Sequence, residues 1–360
     1  MKKTRIALIL IALSIAYLIG AITVRYQLPP YDLVKTFIVN KSMGDELDLD
    51  PELKQHFIDP IINPTKLRYP PIASRDELNN RINNMLIDVE KMTSAYDDIE
   101  LISDTIEENI FICTFRYKDK IDTVFAYFIR SLDNSNIGIN IIPGSGINQS
   151  TAMLQYTSIN DNYQSNIDDI AKNYGDVYIL VKPNEDFLAI HNGSKKIGSI
   201  SFVNHLINNG GSYSSYYLLQ SLVLSKFINQ KYSKLYVTGL SQGGLAALIN
   251  SIESKPNKAV IASGFSYFMK DPYRSSHNQI IIPGYRNDYN PDSVYQRIEE
   301  SPTNFLFTWG LEEQGLYGKE ALTKTTANFF QPLNNVRSII HPEGHVYYEP
   351  AINEFLSTEK

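Results

Sequence analysis

Ser241 stands in KLYVTGLSQGGLAAL, residues 234–248, among neighbours whose types and order can turn a serine into a nucleophile. Leu235, Tyr236, Val237 and Thr238 run into Gly239, Leu240, Ser241, Gln242 and Gly243, a G-x-S-x-G pattern, and good helix formers follow at once. The pattern predicts a strand, a sharp turn and a helix, with Ser241 at the apex. The flanking glycines remove the Cβ atoms that would clash if the turn takes positive φ. Such a turn pushes the hydroxyl out of the sheet. It also puts the Gln242 amide at a helix N-terminus, where unpaired N–H groups favour developing negative charge. The chemistry this suits is attack on a carbonyl carbon. A second G-x-S, at Gly264-Phe265-Ser266, lacks both the following glycine and the helix.

The elements that must carry this turn are legible from about residue 101. FICTFRY (111–117) and TVFAYFIR (123–130), joined by the polar KDKID, read as a hairpin. IGINIIP (137–143) is a buried strand, followed by a turn and a helical segment from Ser150. DVYILVK (176–182), the strand at 234–238, KAVIASG (258–264), NFLFTWG (304–310) and VRSIIHP (336–342) complete the series. An antiparallel pair followed by alternating strands and helices implies a mostly parallel α/β sheet covered on both faces. Its active site is then expected at the carboxyl ends of the strands.

The rest of the chain sets the context. With 360 residues, 43% hydrophobic and 20% charged, it has room for one large domain and an appendage. A formal net charge of −6 argues against nucleic acid as a partner, because such binders need a basic face. Lys2, Lys3 and Arg5 precede an uncharged stretch from Ile6 to Val24, long enough to cross a bilayer core of about 30 Å as a helix. This predicts an uncleaved signal anchor over 1–25 with the bulk of the chain outside the cytoplasm; a cleaved, secreted or periplasmic form is the alternative. Residues 26–100 read as a proline-punctuated stalk to 73 and then a helix that starts with a Ser74/Glu77 capping box. The single cysteine, Cys113, reads as a buried strand thiol.

Over roughly residues 101–360 this order of parts resembles the α/β-hydrolase superfamily. The resemblance implies a nucleophile after the fifth strand, an acid after the seventh and a histidine after the eighth. Ser241 matches the nucleophile. His345, in HPEGHVYYEPAINEFL after the last strand, matches the histidine, and imidazole can both take the serine proton and return it to a leaving group. Pairing His341 with His345 on a metal is disfavoured, since Pro342 and Gly344 break the helix that would align them. For the acid, family members use the third residue after the glycine ending the seventh strand. In Gly310-Leu311-Glu312-Glu313 that is Glu313, with Glu312 as the alternative. The second oxyanion donor is implied in the loop IIPGSGINQS, where the Ser145 amide would join that of Gln242.

The function expected is hydrolysis of an acyl ester through a Ser-His-Glu triad, without cofactor or metal, by an exported, membrane-tethered enzyme. A polar insertion at 182–215, beginning KPNED, and a tyrosine-rich segment at 265–289 flank the site; tyrosines with Asn, Asp and Arg suit a hydroxylated ligand, so an acylated envelope or extracellular glycan is the expected substrate. Two alternatives stand beside it. Gly243-Gly244 also resembles prolyl-oligopeptidase-like peptidases, although residues 26–100 are too short for their propeller. A catalytically idle scaffold serving as a binding module is the other.

Overall fold

The computed structural model describes residues 95–107, 109–133, 135–145, 149–154, 167–183, 185, 212–265, 289–311 and 320–358, all within one compact unit, Pro51–Lys360. The anchor, the stalk and the capped helix from Ser74 lie outside the described residues, as do Glu312 and Glu313. A short helix, α1 (Ala95–Asp98), leads into β1 (Ile99–Glu107), β2 (Ile110–Tyr117), β3 (Lys120–Ile129) and β4 (Ile137–Ile142). Then come α2 (Gln149–Leu154), α3 (Ile167–Lys172), β5 (Asp176–Leu180), α4 (Tyr213–Lys231), β6 (Lys234–Leu240) and α5 (Gln242–Ser254). The chain continues with β7 (Lys258–Ala262), α6 (Pro291–Glu299), β8 (Asn304–Gly310), α7 (Glu320–Phe330), β9 (Val336–His341) and α8 (Glu349–Ser357).

The described strands form one sheet in the order β1-β2-β3-β5-β4-β6-β7-β8-β9. β1, β2 and β3 are antiparallel, β3 meets β5 antiparallel, and all neighbours from β5 to β9 are parallel. The expected hairpin is β2–β3, closed tightly at Tyr117↔Lys120 with Lys118 at φ 55°. β1 is the strand that sequence reading omits. Its residues IELISDTIE are largely exposed at the sheet edge, so no continuous apolar run marks them. The central strands are the opposite case. β6, β7 and β8 are buried at nearly every position, because helices cover both of their faces.

The two faces separate by strand alternation. On one, Tyr178 and Leu180 of β5, Val237 of β6 and Phe305, Phe307 and Trp309 of β8 pack with α4, α5, α6 and α7. On the other, Val177, Ile179, Tyr236 and Leu306 pack with α3 and α8. Cys113 is fully buried in β2, and burial pushes its thiol up to about 12, so it is neither a ready thiolate nor a site group. Lys258, at the start of β7, donates to the carbonyls of Phe355 (2.8 Å), Leu356 (3.0 Å) and Thr358 (2.5 Å) and so ties down the C-terminal end of α8.

α4 is buried along most of its length, and several of the polar groups in its sequence YSSYYLLQSLVLSKFINQK find partners inside. Asn140 of β4 donates to the Ser221 carbonyl (3.0 Å) and to Ser225 Oγ (2.9 Å). Ser225 Oγ donates to Asn250 Oδ1 (2.9 Å), while Asn250 donates from Nδ2 to Ser221 Oγ (3.0 Å) and accepts from Ser254 Oγ (2.9 Å). This buried network locks β4, α4 and α5 in one register, and Ser241 caps the start of α5. Replacing its hub, Asn250→Ala, strands several buried groups and is expected to cost about 2–3 kcal/mol. Chemical denaturation of the variant beside wild type measures this.

Candidate active site

Parallel pairing from β4 to β9 brings their carboxyl ends to one edge. The register is Ile142↔Gly239 between β4 and β6, Leu240↔Ala262 between β6 and β7, and Gly310↔His341 between β8 and β9. The chain leaves β4 toward β5 on one side and later enters β6 on the other, so the connections diverge between β4 and β6. A crevice forms at such a switch point. Its two walls begin at Pro143–Ser145 and at Ser241, the segments to which sequence reading assigns an oxyanion donor and the nucleophile.

Ser241 links β6 directly to α5 with φ 61° and ψ −122°, a conformation that costs a non-glycine residue of order 1–3 kcal/mol. It makes no side-chain hydrogen bond as a cap to α5, so the hydroxyl is not spent on the helix it precedes. The turn is held by its backbone. Ser241 N–H donates to the Ala262 carbonyl (2.9 Å), and the Ser241 carbonyl accepts the first helical bond, from Leu245 N–H (3.1 Å). The glycines of the motif are sterically required. A Cβ on Gly239 would lie 2.0 Å from the Gly243 carbonyl oxygen, and one on Gly243 would lie 2.1 Å from that of Ile142. α5 therefore starts in backbone contact with the end of β4. Gly244 also has no room for a Cβ, which would lie 2.6 Å from the Ala262 carbonyl oxygen and 2.7 Å from Gly264 Cα, so the doubled glycine that invites a peptidase comparison has a packing cause.

Across the crevice, the loop after β4 is held by side chains from two other elements. Tyr217 of α4 donates its hydroxyl to the Pro143 carbonyl. Lys182, beyond the end of β5, donates to the Gly144 carbonyl (2.7 Å). Glu185 accepts from Gln149 N–H (2.6 Å), from Ser150 N–H (3.4 Å) and from the Ser150 hydroxyl. Lys182 is 1% exposed and Glu185 2%. Burial pulls the Lys182 ammonium down to about 8 against the attraction of Glu185. Burial also pushes the Glu185 carboxyl up, against Lys182 and the bonds from Ser150 and Gln149. Sequence reading missed both residues, taking KPNED as the polar start of an insertion. The available signal was alternation: Lys182 continues the face of Tyr178 and Leu180, which points into the core.

His345 lies half-buried in the turn between β9 and α8. Gly310, which ends β8, sits against that turn so closely that a Cβ would be 2.2 Å from the Gly344 carbonyl oxygen and 2.3 Å from that of Glu343. Leu311 N–H donates to the His341 carbonyl (2.8 Å). The segment that proceeds to Glu312 and Glu313 thus departs beside the one that carries His345, while the two glutamates themselves lie outside the described residues. His341 is separate. It is buried at the end of β9 and stacked on Tyr348 with ring centroids 4.7 Å apart, and residues 342–346 are not helical.

With β1 counted as an added edge strand, Ser241 follows the fifth of the remaining eight strands and His345 the eighth. The chain has the α/β-hydrolase fold. No family model and no curated protein matches it by sequence. Among solved structures it is similar to a carbohydrate esterase family 15 glucuronoyl esterase from Caldicellulosiruptor kristjansonii, at 14% identity over 78% of this chain and 82% of that one, TM-score 0.47. It is also similar to a glucuronoyl esterase from Sporotrichum thermophile, at 13% identity over 75% and 78%, TM-score 0.42. A third is acetyl xylan esterase 1 from Thermoanaerobacterium sp., at 14% over 79% and 93%, TM-score 0.37. The α/β-hydrolase assignment rests on the sheet order and the strained serine turn.

Because Ser241 holds a conformation that glycine adopts freely, Ser241→Gly is expected to be more stable than Ser241→Ala by about 1 kcal/mol, glycine's own entropy offsetting part of the relief. Thermal melts of the two variants measure it; equal midpoints would deny the strain.

Proposed function

We propose that the chain is a serine hydrolase of acyl esters, with Ser241 as nucleophile, His345 as base and Glu313 as the acid that orients it. The reading is carried by Ser241: a serine held at positive φ between β6 and α5, at the switch point, opposite a braced glycine-containing loop. In this mechanism Ser241 Oγ attacks the ester carbonyl as His345 takes its proton. The amides of Gln242 and Ser145 bear the resulting oxyanion. Collapse of the tetrahedral intermediate expels the alkoxide, which receives that proton from His345. Water, deprotonated by His345, then cleaves the acyl-enzyme and returns Ser241 to its resting state. The carboxylate holds the imidazole tautomer and stabilises the imidazolium without taking the proton. Glu312 is the rival for that role.

The tyrosine-rich segment at 265–289, with its Asn, Asp and Arg residues, supports a hydroxylated, glycan-like alcohol or acyl carrier as substrate. The basic and then apolar N-terminus supports tethering to a membrane with the hydrolase outside the cytoplasm. Among the described residues no helix is long and apolar enough to cross a membrane, and the N-terminal stretch lies outside them.

Turnover of p-nitrophenyl acetate and butyrate by the full chain tests the chemistry. Ser241→Ala is expected to lose at least about 10⁴-fold in kcat and Glu313→Ala about 10²- to 10⁴-fold, with Glu312→Ala close to wild type. A folded wild type that cleaves neither ester and takes no fluorophosphonate label would leave the binding-module reading in its place. Loss in Glu312→Ala instead of Glu313→Ala would reassign the acid.

A further inference from the structure

Lys182 and Glu185, three residues apart on the segment after β5, grip the two ends of the loop that joins β4 to α2. Lys182 holds the Gly144 carbonyl, and Glu185 holds the amides of Gln149 and Ser150. A trans peptide carries its C=O and its N–H in one plane, pointing in opposite directions. The carbonyl that Lys182 holds belongs to the same peptide unit as the Ser145 N–H. The ammonium thus determines which way that N–H faces, namely away from the buried side on which Lys182 lies. The preceding peptide is treated alike: Tyr217 holds the Pro143 carbonyl, so the Gly144 N–H faces away from Tyr217. Lys182 Nζ sits 5.8 Å from the Tyr217 ring centroid, so the two braces stand together.

Resting on the reading of Ser241 as an ester-cleaving nucleophile, we infer that Lys182 is a positioning residue of the oxyanion hole. Its ammonium fixes the 144–145 peptide plane and polarises it, making the Ser145 N–H a better aimed and stronger donor to the oxyanion, while Glu185 anchors the far end of the loop. Charge at an amide oxygen draws electron density from the nitrogen, and hydrogen bonds in such chains strengthen one another by about 10–30%. At 1% exposure the ammonium acts with little solvent screening. A neutral donor would satisfy the Gly144 carbonyl with a smaller desolvation cost. The gain from a charge there is in the field it projects along the peptide toward developing negative charge.

Among the described residues, the groups facing the Lys182 ammonium include Glu185, the Gly144 carbonyl and the Tyr217 ring, with Tyr213 close enough to Glu185 that burial and that carboxylate hold its hydroxyl well above the usual range. Tyr213 therefore stays neutral while Lys182 titrates. Since the ammonium is pulled down to about 8, it is charged below that pH and loses its proton above it, so the brace weakens as pH rises.

The test is p-nitrophenyl acetate hydrolysis by the full chain as wild type, Ser241→Ala, Lys182→Met and Lys182→Arg, with kcat and KM separated. Inhibition by a trifluoromethyl ketone, whose serine adduct presents an oxyanion, is measured in parallel. Lys182→Met is expected to lower kcat about 10- to 100-fold with KM little changed, and to weaken the ketone by a similar factor. Lys182→Arg, which restores a charged donor, recovers most of both. Wild-type kcat is expected to fall above pH about 8, and this limb to be absent from Lys182→Arg. Full kcat in Lys182→Met, or a loss confined to KM with ketone affinity kept, overturns the proposal. So does a wild-type kcat that is flat from pH 8 to 10, which decides the matter even if Lys182→Met fails to fold. Absence of turnover and of fluorophosphonate labelling in wild type instead overturns the esterase reading, and this proposal with it.

Discussion

The close backbone approach of α5 to β4 and β6 is the constraint on which the site depends. Three glycines admit it: Gly239 lies against Gly243, Gly243 against the Ile142–Pro143 backbone, and Gly244 against Ala262 and Gly264. With no side chains in between, the helix starts hard against the carboxyl ends of three strands. The single residue left to turn the corner, Ser241, is forced to φ 61°. The same approach places the Pro143–Ser145 loop beside the first turn of α5. Strain at Ser241 and proximity of the two loops are two results of one packing arrangement.

That arrangement is held from behind by polar groups that have no access to water. Asn140, Ser221, Ser225, Asn250 and Ser254 link β4, α4 and α5 through hydrogen bonds, each made where an unpaired group would be costly. Past the carboxyl end of β4, Lys182 and Glu185 make a second buried polar device around the loop itself. The first specifies how the helices sit on the sheet. The second specifies the shape of a loop, and buried charge is an expensive way to do only that. The difference in cost is what gives Lys182 a functional interpretation.

The sheet edge also explains how distant parts of the chain become one site. His345 is more than a hundred residues from Ser241, but parallel pairing puts the ends of β4, β6, β7, β8 and β9 in a row. Gly310 then lets the turn bearing His345 settle against the end of β8, beside the departure toward Glu312 and Glu313. Lys258 secures α8, which follows that turn, by occupying its last carbonyls. The histidine turn is thus set against β8 by backbone contacts, and the helix that follows it is tied at its far end by a side chain.

Much of the α/β plan was legible because its signals are local. A buried parallel strand must be apolar on both faces, so β4 to β8 appear as short apolar runs. The G-x-S-x-G turn reveals itself because only glycine fits where backbones touch. β1 was not legible, since an exposed edge strand needs no apolar run and IELISDTIE carries none. Lys182 and Glu185 were not legible as site groups either: in sequence they are two charges in KPNED, indistinguishable from a solvated loop. Their burial, and the partners they find at Gly144, Gln149 and Ser150, exist only once β5 lies beside β4. By itself the sequence determined the turn at Ser241 and the alternation that builds the sheet, because these depend on steric fit and periodicity within a few residues. Only the tertiary structure decided what braces the loop after β4, because a charge acquires its partners from groups brought to it across the fold.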